Sequence, residues 1–139
     1  VGKSENIQEK YDSYGISAKV IEYSDDINKL FDWSSLIVCR AGSTTISELA
    51  SIGRACILIP FPNATDNHQL KNAEYLSDNS AAITLQQTDD FIENFVTTTN
   101  FLILKHERLY SLAQNIKKIF PKNASFMITE DIKKIISKK

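Results

Sequence analysis

Glycine is scarce in this chain of 139 residues: four are present where average usage gives about ten. No two of them lie within ten residues of each other. A phosphate-cradling loop usually needs clustered glycines, so any nucleotide site here must work without a Gly-rich loop of its own. Cysteine is equally sparse. Cys39 and Cys56 are too few for a disulfide framework, nothing resembles a secretory signal, and both read as buried thiols in a reducing cytoplasm. Charge of one sign is lacking too, because 16 basic and 17 acidic side chains leave a net charge of −1. Such a chain has no global field with which to grip nucleic acid. The longest apolar run, Ala55 to Phe61, falls far short of the roughly 20 residues that span a bilayer. The first residues are Val1-Gly2-Lys3-Ser4 rather than methionine, so the natural start is expected upstream.

What is present suits one globular domain. Hydrophobic residues make up 42% and charged residues 24%, enough apolar material for a core and unlike a disordered chain. Apolar runs alternate with helical patterns. Ile16 to Tyr23 reads as a strand and Asp25 to Trp33 as a short helix, with Asp25 or Asp26 as cap and Ile27, Leu30 and Phe31 at helical spacing. Residues 35–39 form an apolar run without alternation, the mark of a strand buried on both faces. Ser43 to Ile52 follows as a helix with Ser43 or Thr44 as cap, an Ile46, Leu49 and Ala50 stripe, and Gly53 at its C-terminal end. The unit recurs: a buried strand at 55–59, a helix from Asp66 to Asn79, and a short strand from Ala81 to Leu85. The rest is helical, from Thr88 or Asp89 to about Thr97, from about Asn100 to Phe120 where Pro121 stops it, and from Thr129 to Ser137. Strands alternating with helices predict an α/β fold with a largely parallel sheet.

The segment from Leu36 to Ala50 carries the most chemistry. A strand ends, Gly42 permits a tight turn and close backbone approach, and a helix begins on Ser43, Thr44 and Thr45. The N–H groups and dipole of such a helix start attract anions, and ligands of open α/β sheets bind beyond the carboxyl ends of the strands. Glu48, one turn in, can accept two hydrogen bonds from vicinal ribose hydroxyls. The same residues also read as an ordinary capped helix: Ser43 as cap, Thr44 and Thr45 solvated, Glu48 complementing the dipole. A second polar cluster follows Pro60-Phe61-Pro62, where Asp66, Asn67, His68, Gln69 and Asn72 suit sugar hydroxyls, or where Asp66 is simply a cap and His68 a surface residue. His68 and His106 have no zinc-ligand spacing around them. Asp25-Asp26 reads better as a capping pair than as a metal site. There is no G-x-S-x-G elbow and no Walker-type loop.

Three segments together resemble the C-terminal domain of the MurG family: Cys39-Arg-Ala-Gly-Ser-Thr-Thr-Ile-Ser-Glu48, Ile59-Pro-Phe-Pro62 and Asp66-Asn-His-Gln-Leu-Lys-Asn-Ala73. That family transfers N-acetylglucosamine from UDP-GlcNAc to lipid I, giving lipid II for peptidoglycan. The resemblance implies a Rossmann-like parallel sheet with flanking helices, part of the C-terminal half of a GT-B glycosyltransferase. Residues 1–139 would be a partial donor-nucleotide-binding domain, with the acceptor domain, its proposed general base, the glycine-rich loop and the domain's first two strands all absent. It also implies roles at matching positions. Ser24 falls where backbone reads the uracil edge, beside Tyr23 and Ile27. Gly42, Ser43 and Thr44 face the diphosphate and sugar, Glu48 holds the ribose, and His68 and Gln69 contact the GlcNAc hydroxyls. Asn72 lies one turn further on, and Arg40 braces the turn or the phosphates. Catalytic groups, lipid I binding and peripheral attachment to the cytoplasmic side of the bacterial inner membrane are expected through the absent domain. No metal or cofactor is assigned. The absent strands would lie between residues 16–23 and 35–39, so a gap or a rearranged sheet is expected there, and direct pairing of the two is not.

Rival readings are the related eukaryotic subunit of dolichol-linked chitobiose synthesis, and a non-catalytic nucleotide-sugar-binding or assembly module. A third is an interaction domain using the tail lysines Lys133, Lys134, Lys138 and Lys139, which more simply form a solvated end.

Overall fold

A computed structural model of the chain describes residues 4–120 and 124–137. The ends of the lysine tail and Pro121 lie outside them. Three strands form one parallel sheet in the order β1-β2-β3, with β1 at Leu36–Cys39, β2 at Ala55–Leu58 and β3 at Ile83–Thr84. The β1–β2 ladder runs from Leu36 opposite Ala55 to Cys39 opposite Leu58, and Ile59 N–H continues it by donating to Cys39 O at 2.9 Å. All four residues of β2 are buried, as expected of a strand covered on both faces.

Residue parity divides the core. Ile37, Cys39, Cys56 and Leu58 pack with Ile46, Leu49 and Ala50 of α3 (Ser43–Ile52) and with Ala73 and Leu76 of α4 (His68–Asp78). On the opposite parity, Leu36, Ala55, Ile57 and Ile83 pack with Phe95 and Leu102 of α5 (Phe91–Leu104) and with Leu109 and Leu112 of α6 (His106–Ile119). Ile116 extends α6 into the first cluster. The helices therefore cover both sides of β2, in the α/β arrangement read from the sequence. Strand β1, at the sheet edge, buries only Ile37 and exposes Val38, so it is not the strand buried on both faces that was expected.

Gly53 ends α3 in the left-handed region at φ 77°, its N–H donating to Leu49 O at 2.7 Å. The next residue fastens α2 (Ile27–Trp33): Arg54 donates to Phe31 O at 3.1 Å and pairs with Asp32 Oδ1 at 2.6 Å. Asp26 caps α2 by accepting from Lys29 N–H at 3.3 Å, which selects one of the two aspartates expected there. Hydrogen bonds from the Lys29 side chain and backbone hold the Asp26 carboxyl below the usual carboxylate range.

Several expectations are corrected. Residues 16–23 contain no strand and pair with neither β1 nor any other strand. Instead the side-chain amide of Gln8, on α1 (Ser4–Ser13), takes Ala18 O at 3.1 Å and Val20 N–H at 3.0 Å, meeting the segment's backbone where a neighbouring strand would. Helix α1 itself carried no sequence signal that was read. Helix α4 starts at His68 rather than Asp66, because Asp66 and Asn67 both adopt φ 53° in a 3₁₀ turn ahead of it. The break between α5 and α6 falls at Lys105, beyond the threonine run where it was expected. Helix α7 begins at Ala124, five residues earlier than predicted. This helix, Ala124–Ile136, exposes Phe126, Met127, Ile128, Ile132, Ile135 and Ile136, and none of its residues with described side chains belongs to either core cluster. Lys133 and Lys134 pair with Glu130 and Asp131 on its surface. Among the described residues no helix is long and apolar enough to cross a membrane.

Candidate functional site

The three strands share a direction, so the turns that leave their carboxyl ends lie along one edge of the sheet. After β1 come Arg40, Ala41 and Gly42, after β2 come Ile59 to Pro62, and after β3 come Gln86 and Gln87. Most residues singled out from the sequence belong to these turns or to the first two turns of the helices that follow them.

The start of α3 is open. Gly42 is its N-cap, replacing the expected Ser43 or Thr44, and no side chain caps the helix. The first bond of the ladder runs from Ile46 N–H to Gly42 O at 3.0 Å, so the N–H groups of Ser43, Thr44 and Thr45 precede it and sit at the positive end of the dipole. Ser43 and Thr44 are exposed. Gly42 has φ −71°, which any residue adopts, so the turn here does not require glycine's conformational freedom, contrary to the expectation from the sequence. A Cβ there would meet only Thr45 Oγ1, at 3.9 Å. Its missing side chain leaves space outside the chain rather than relieving contact within it. Glu48, half-buried one turn along, engages no described residue in a hydrogen bond or ion pair.

Arg40 braces the strand-end turns. Its Nη1 donates to Ile59 O at 3.2 Å, to Pro60 O at 3.1 Å and to Gln87 Oε1 at 2.7 Å, and its guanidinium lies 5.4 Å from the Phe61 ring centroid. Helix α4 is tied to the same edge. Phe61 N–H donates to Gln69 Oε1 at 3.0 Å, and Asn72 Nδ2 donates to Ala41 O at 3.2 Å. Because N–H groups only donate and carbonyls only accept, these partners determine both amide orientations. Gln69 keeps Nε2, a donor, and Asn72 keeps Oδ1, an acceptor. His68 is exposed at the first position of α4. A cavity of about 180 Å³ opens beside this network, lined by Pro60, Phe61, Asn67, Leu70, Gln86 and Gln87 among others.

Arg40, Gln69 and Asn72 thus tie the three strand-end turns and α4 together, with Gly42, Ser43, Thr44 and Glu48 at the start of the helix that follows β1. Ser24 stands apart, on the approach to α2, where its Oγ accepts from Asp26 N–H at 3.3 Å. Sequence reasoning missed Phe61 and Gln87 as members of the network. The signal was positional: each follows the end of a strand, as Arg40 does. Burial pushes the Cys56 thiol up to about 12 and the Cys39 thiol up to about 11, so both are protonated neutral groups of the core at pH 7.

Comparison with known proteins identifies the family to which this fold belongs. The profile described as glycosyltransferase family 28 C-terminal domain matches residues 1–127. The UDP-N-acetylglucosamine--N-acetylmuramyl-(pentapeptide) pyrophosphoryl-undecaprenol N-acetylglucosamine transferase of Aeromonas hydrophila is 32% identical over 134 residues, 96% of this chain and 37% of that protein. Its counterpart in Coxiella burnetii is 35% identical over 130 residues, 94% of this chain and 36% of that protein. The crystal structure of Acinetobacter baumannii MurG superposes with a TM-score of 0.79 at 29% identity, covering 96% of this chain and 39% of that one. The chain spans little more than a third of the relatives it matches. With the family profile matching most of its length and the parallel sheet shared with a solved relative, the chain belongs to the glycosyltransferase family 28 C-terminal domain family, as a MurG-type member.

Proposed function

We propose that this chain is the UDP-GlcNAc-binding part of an inverting glycosyltransferase that adds GlcNAc to lipid I, forming lipid II for peptidoglycan. The observation that carries this reading is the uncapped start of α3 beside Glu48, which has no partner among the described residues, at the carboxyl edge of a parallel sheet. Negative charge gathers on the diphosphate as the donor's anomeric bond breaks. Oriented N–H groups at Ser43, Thr44 and Thr45 stabilise it without reorganising at that moment. Gly42 lets the phosphates approach the backbone, and Glu48 accepts from the two ribose hydroxyls. Gln69 donates from Nε2 to a hydroxyl oxygen of the sugar, beside His68. Arg40 holds the turns after β2 and β3, Asn72 ties α4 to the turn before α3, and the backbone at Ser24 faces the uracil edge. These are positioning and charge-stabilising roles. The group that deprotonates the acceptor, the lipid I site and peripheral attachment at the cytoplasmic face of the membrane belong to an acceptor domain, so this chain alone is expected to bind donor without turnover.

The test is a titration with UDP-GlcNAc and UDP-glucose by ligand-observed NMR, using the chain and its Glu48→Ala variant. Saturable binding that prefers UDP-GlcNAc and weakens at least about tenfold in the variant is expected, since hydrogen bonds to a charged group contribute about 1.5–3 kcal/mol. A folded chain that binds neither nucleotide sugar overturns the reading.

A further inference from the structure

Three turns converge on one side chain at the sheet's carboxyl edge. Arg40 Nη1 faces two main-chain carbonyls of the β2 turn and a single side-chain acceptor, Gln87 Oε1, which makes the shortest of the three bonds at 2.7 Å. Nη1 carries two hydrogens, so three acceptors share them, and the side-chain acceptor biases which way the guanidinium plane settles. That plane lies over Phe61, whose N–H in turn sets Gln69 Oε1. The links are contiguous: β3 turn to Arg40, Arg40 to the Phe61 turn, Phe61 to the first turn of α4. Gln87 and Phe61 also line the same cavity.

We propose that Gln87 is a positioning residue for the donor site: by holding Arg40 it keeps Phe61 N–H on Gln69 Oε1, so that Gln69 meets its ligand as an N–H donor. The inference deepens the donor reading and rests on it for the ligand named. It requires that the partner of Gln69 be an acceptor, such as a sugar hydroxyl oxygen. It also requires that disturbing Gln87 affect recognition of the sugar more than recognition of the nucleotide, because the groups assigned to ribose and diphosphate sit on α3 outside this chain of contacts.

Two variants of the 139-residue chain test it. Gln87→Ala removes the acceptor, whereas Gln87→Glu keeps one and strengthens it by charge. Without ligand, Gln87→Ala is expected to speed hydrogen exchange at Phe61 N–H by about tenfold, the equivalent of one lost hydrogen bond, and to move the Gln69 side-chain amide resonances. Gln87→Glu should leave both near wild type. With ligand, Gln87→Ala should weaken UDP-GlcNAc by about tenfold and UDP by less than about twofold, and Gln87→Glu should restore the difference. Unchanged Phe61 exchange and Gln69 resonances in Gln87→Ala, or an equal loss for UDP and UDP-GlcNAc, would overturn the proposal. Wild-type chain that binds neither nucleotide removes the donor reading, while the ligand-free measurements still decide whether Gln87 sets Gln69.

Discussion

Replacing Gly53 by alanine separates a backbone cost from a packing cost at the junction that holds α3 against α6. Gly53 adopts φ 77° and ψ 62° while donating its N–H to Leu49 O at 2.7 Å. An L-residue in that region costs about 1–2 kcal/mol relative to glycine. The new Cβ would lie 2.9 Å from Lys117 Cδ, and 3.4 Å from both Lys117 Cβ and Ala113 O. The closest of these is the far part of a flexible, exposed side chain, which swings aside at little cost, and the two at 3.4 Å need only slight movement. The backbone term therefore dominates, and Gly53→Ala should lose about 1–2 kcal/mol. In a domain of this size that is a fall in Tm of about 3–5 °C for each kcal/mol. Asparagine is larger than alanine but tolerates the left-handed region, so Gly53→Asn should cost less than Gly53→Ala. In a Lys117→Ala background the cost of Gly53→Ala should change by no more than about 0.5 kcal/mol. Urea unfolding of the five proteins (wild type, the two Gly53 variants, Lys117→Ala and the double variant) measures all of this. An asparagine variant less stable than the alanine variant, or full rescue by Lys117→Ala, would refute the argument and make contact with α6 the reason for glycine.

Other consequences follow from the same structure. Cys56 is held protonated in the core up to about pH 12, whereas an unperturbed thiol ionises near 9.0. The unfolded chain thus releases that proton first, and stability falls as pH rises through this window. The loss at pH 10 relative to pH 7 is on the order of 1 kcal/mol for this one group. Urea midpoints should show a wild-type decline exceeding that of Cys56→Ala by this amount, and parallel declines would contradict the assignment. Asn72→Asp should cost about 1–3 kcal/mol and more than Asn72→Ala, because both lose the bond to the carbonyl of buried Ala41 and only the carboxylate sets a negative oxygen against it. Variants as stable as wild type at pH 7 would mean that the bond to Ala41 contributes nothing.

Strand β2 was legible because residues 55–58 are apolar on both parities and both faces are covered. Residues 36–39 read the same way, but β1 lies at the edge of the three-stranded sheet and leaves Val38 exposed. Gly53 announced the end of α3 for a comparably local reason. Residues 16–23 carry similar local preference, yet whether a strand forms depends on a partner's main chain, and local sequence does not record one. The α5–α6 boundary was misplaced because Thr97, Thr98 and Thr99 looked like a helix break, whereas packing of Phe95 and Leu102 on the sheet carries the helix through them. At the candidate site, Gly42 and Glu48 were read from the strand–turn–helix pattern, Gln69 and Asn72 from the polar cluster after Pro62, and Arg40 only from the family resemblance. Gln87 was not, since its meaning lies in a partner 47 residues away. The reading of Gly42 as a turn former also needed the backbone angle to correct it.

The most direct test of the donor-site account is amide shift mapping of the isotope-labelled chain as UDP-GlcNAc is added. The account predicts the largest shifts at Gly42, Ser43, Thr44, Thr45 and Glu48, with a second group at Phe61 and in the side chain of Gln69. Shifts confined to α1 or α7, or a folded chain whose spectrum does not change at saturating nucleotide sugar, would contradict it.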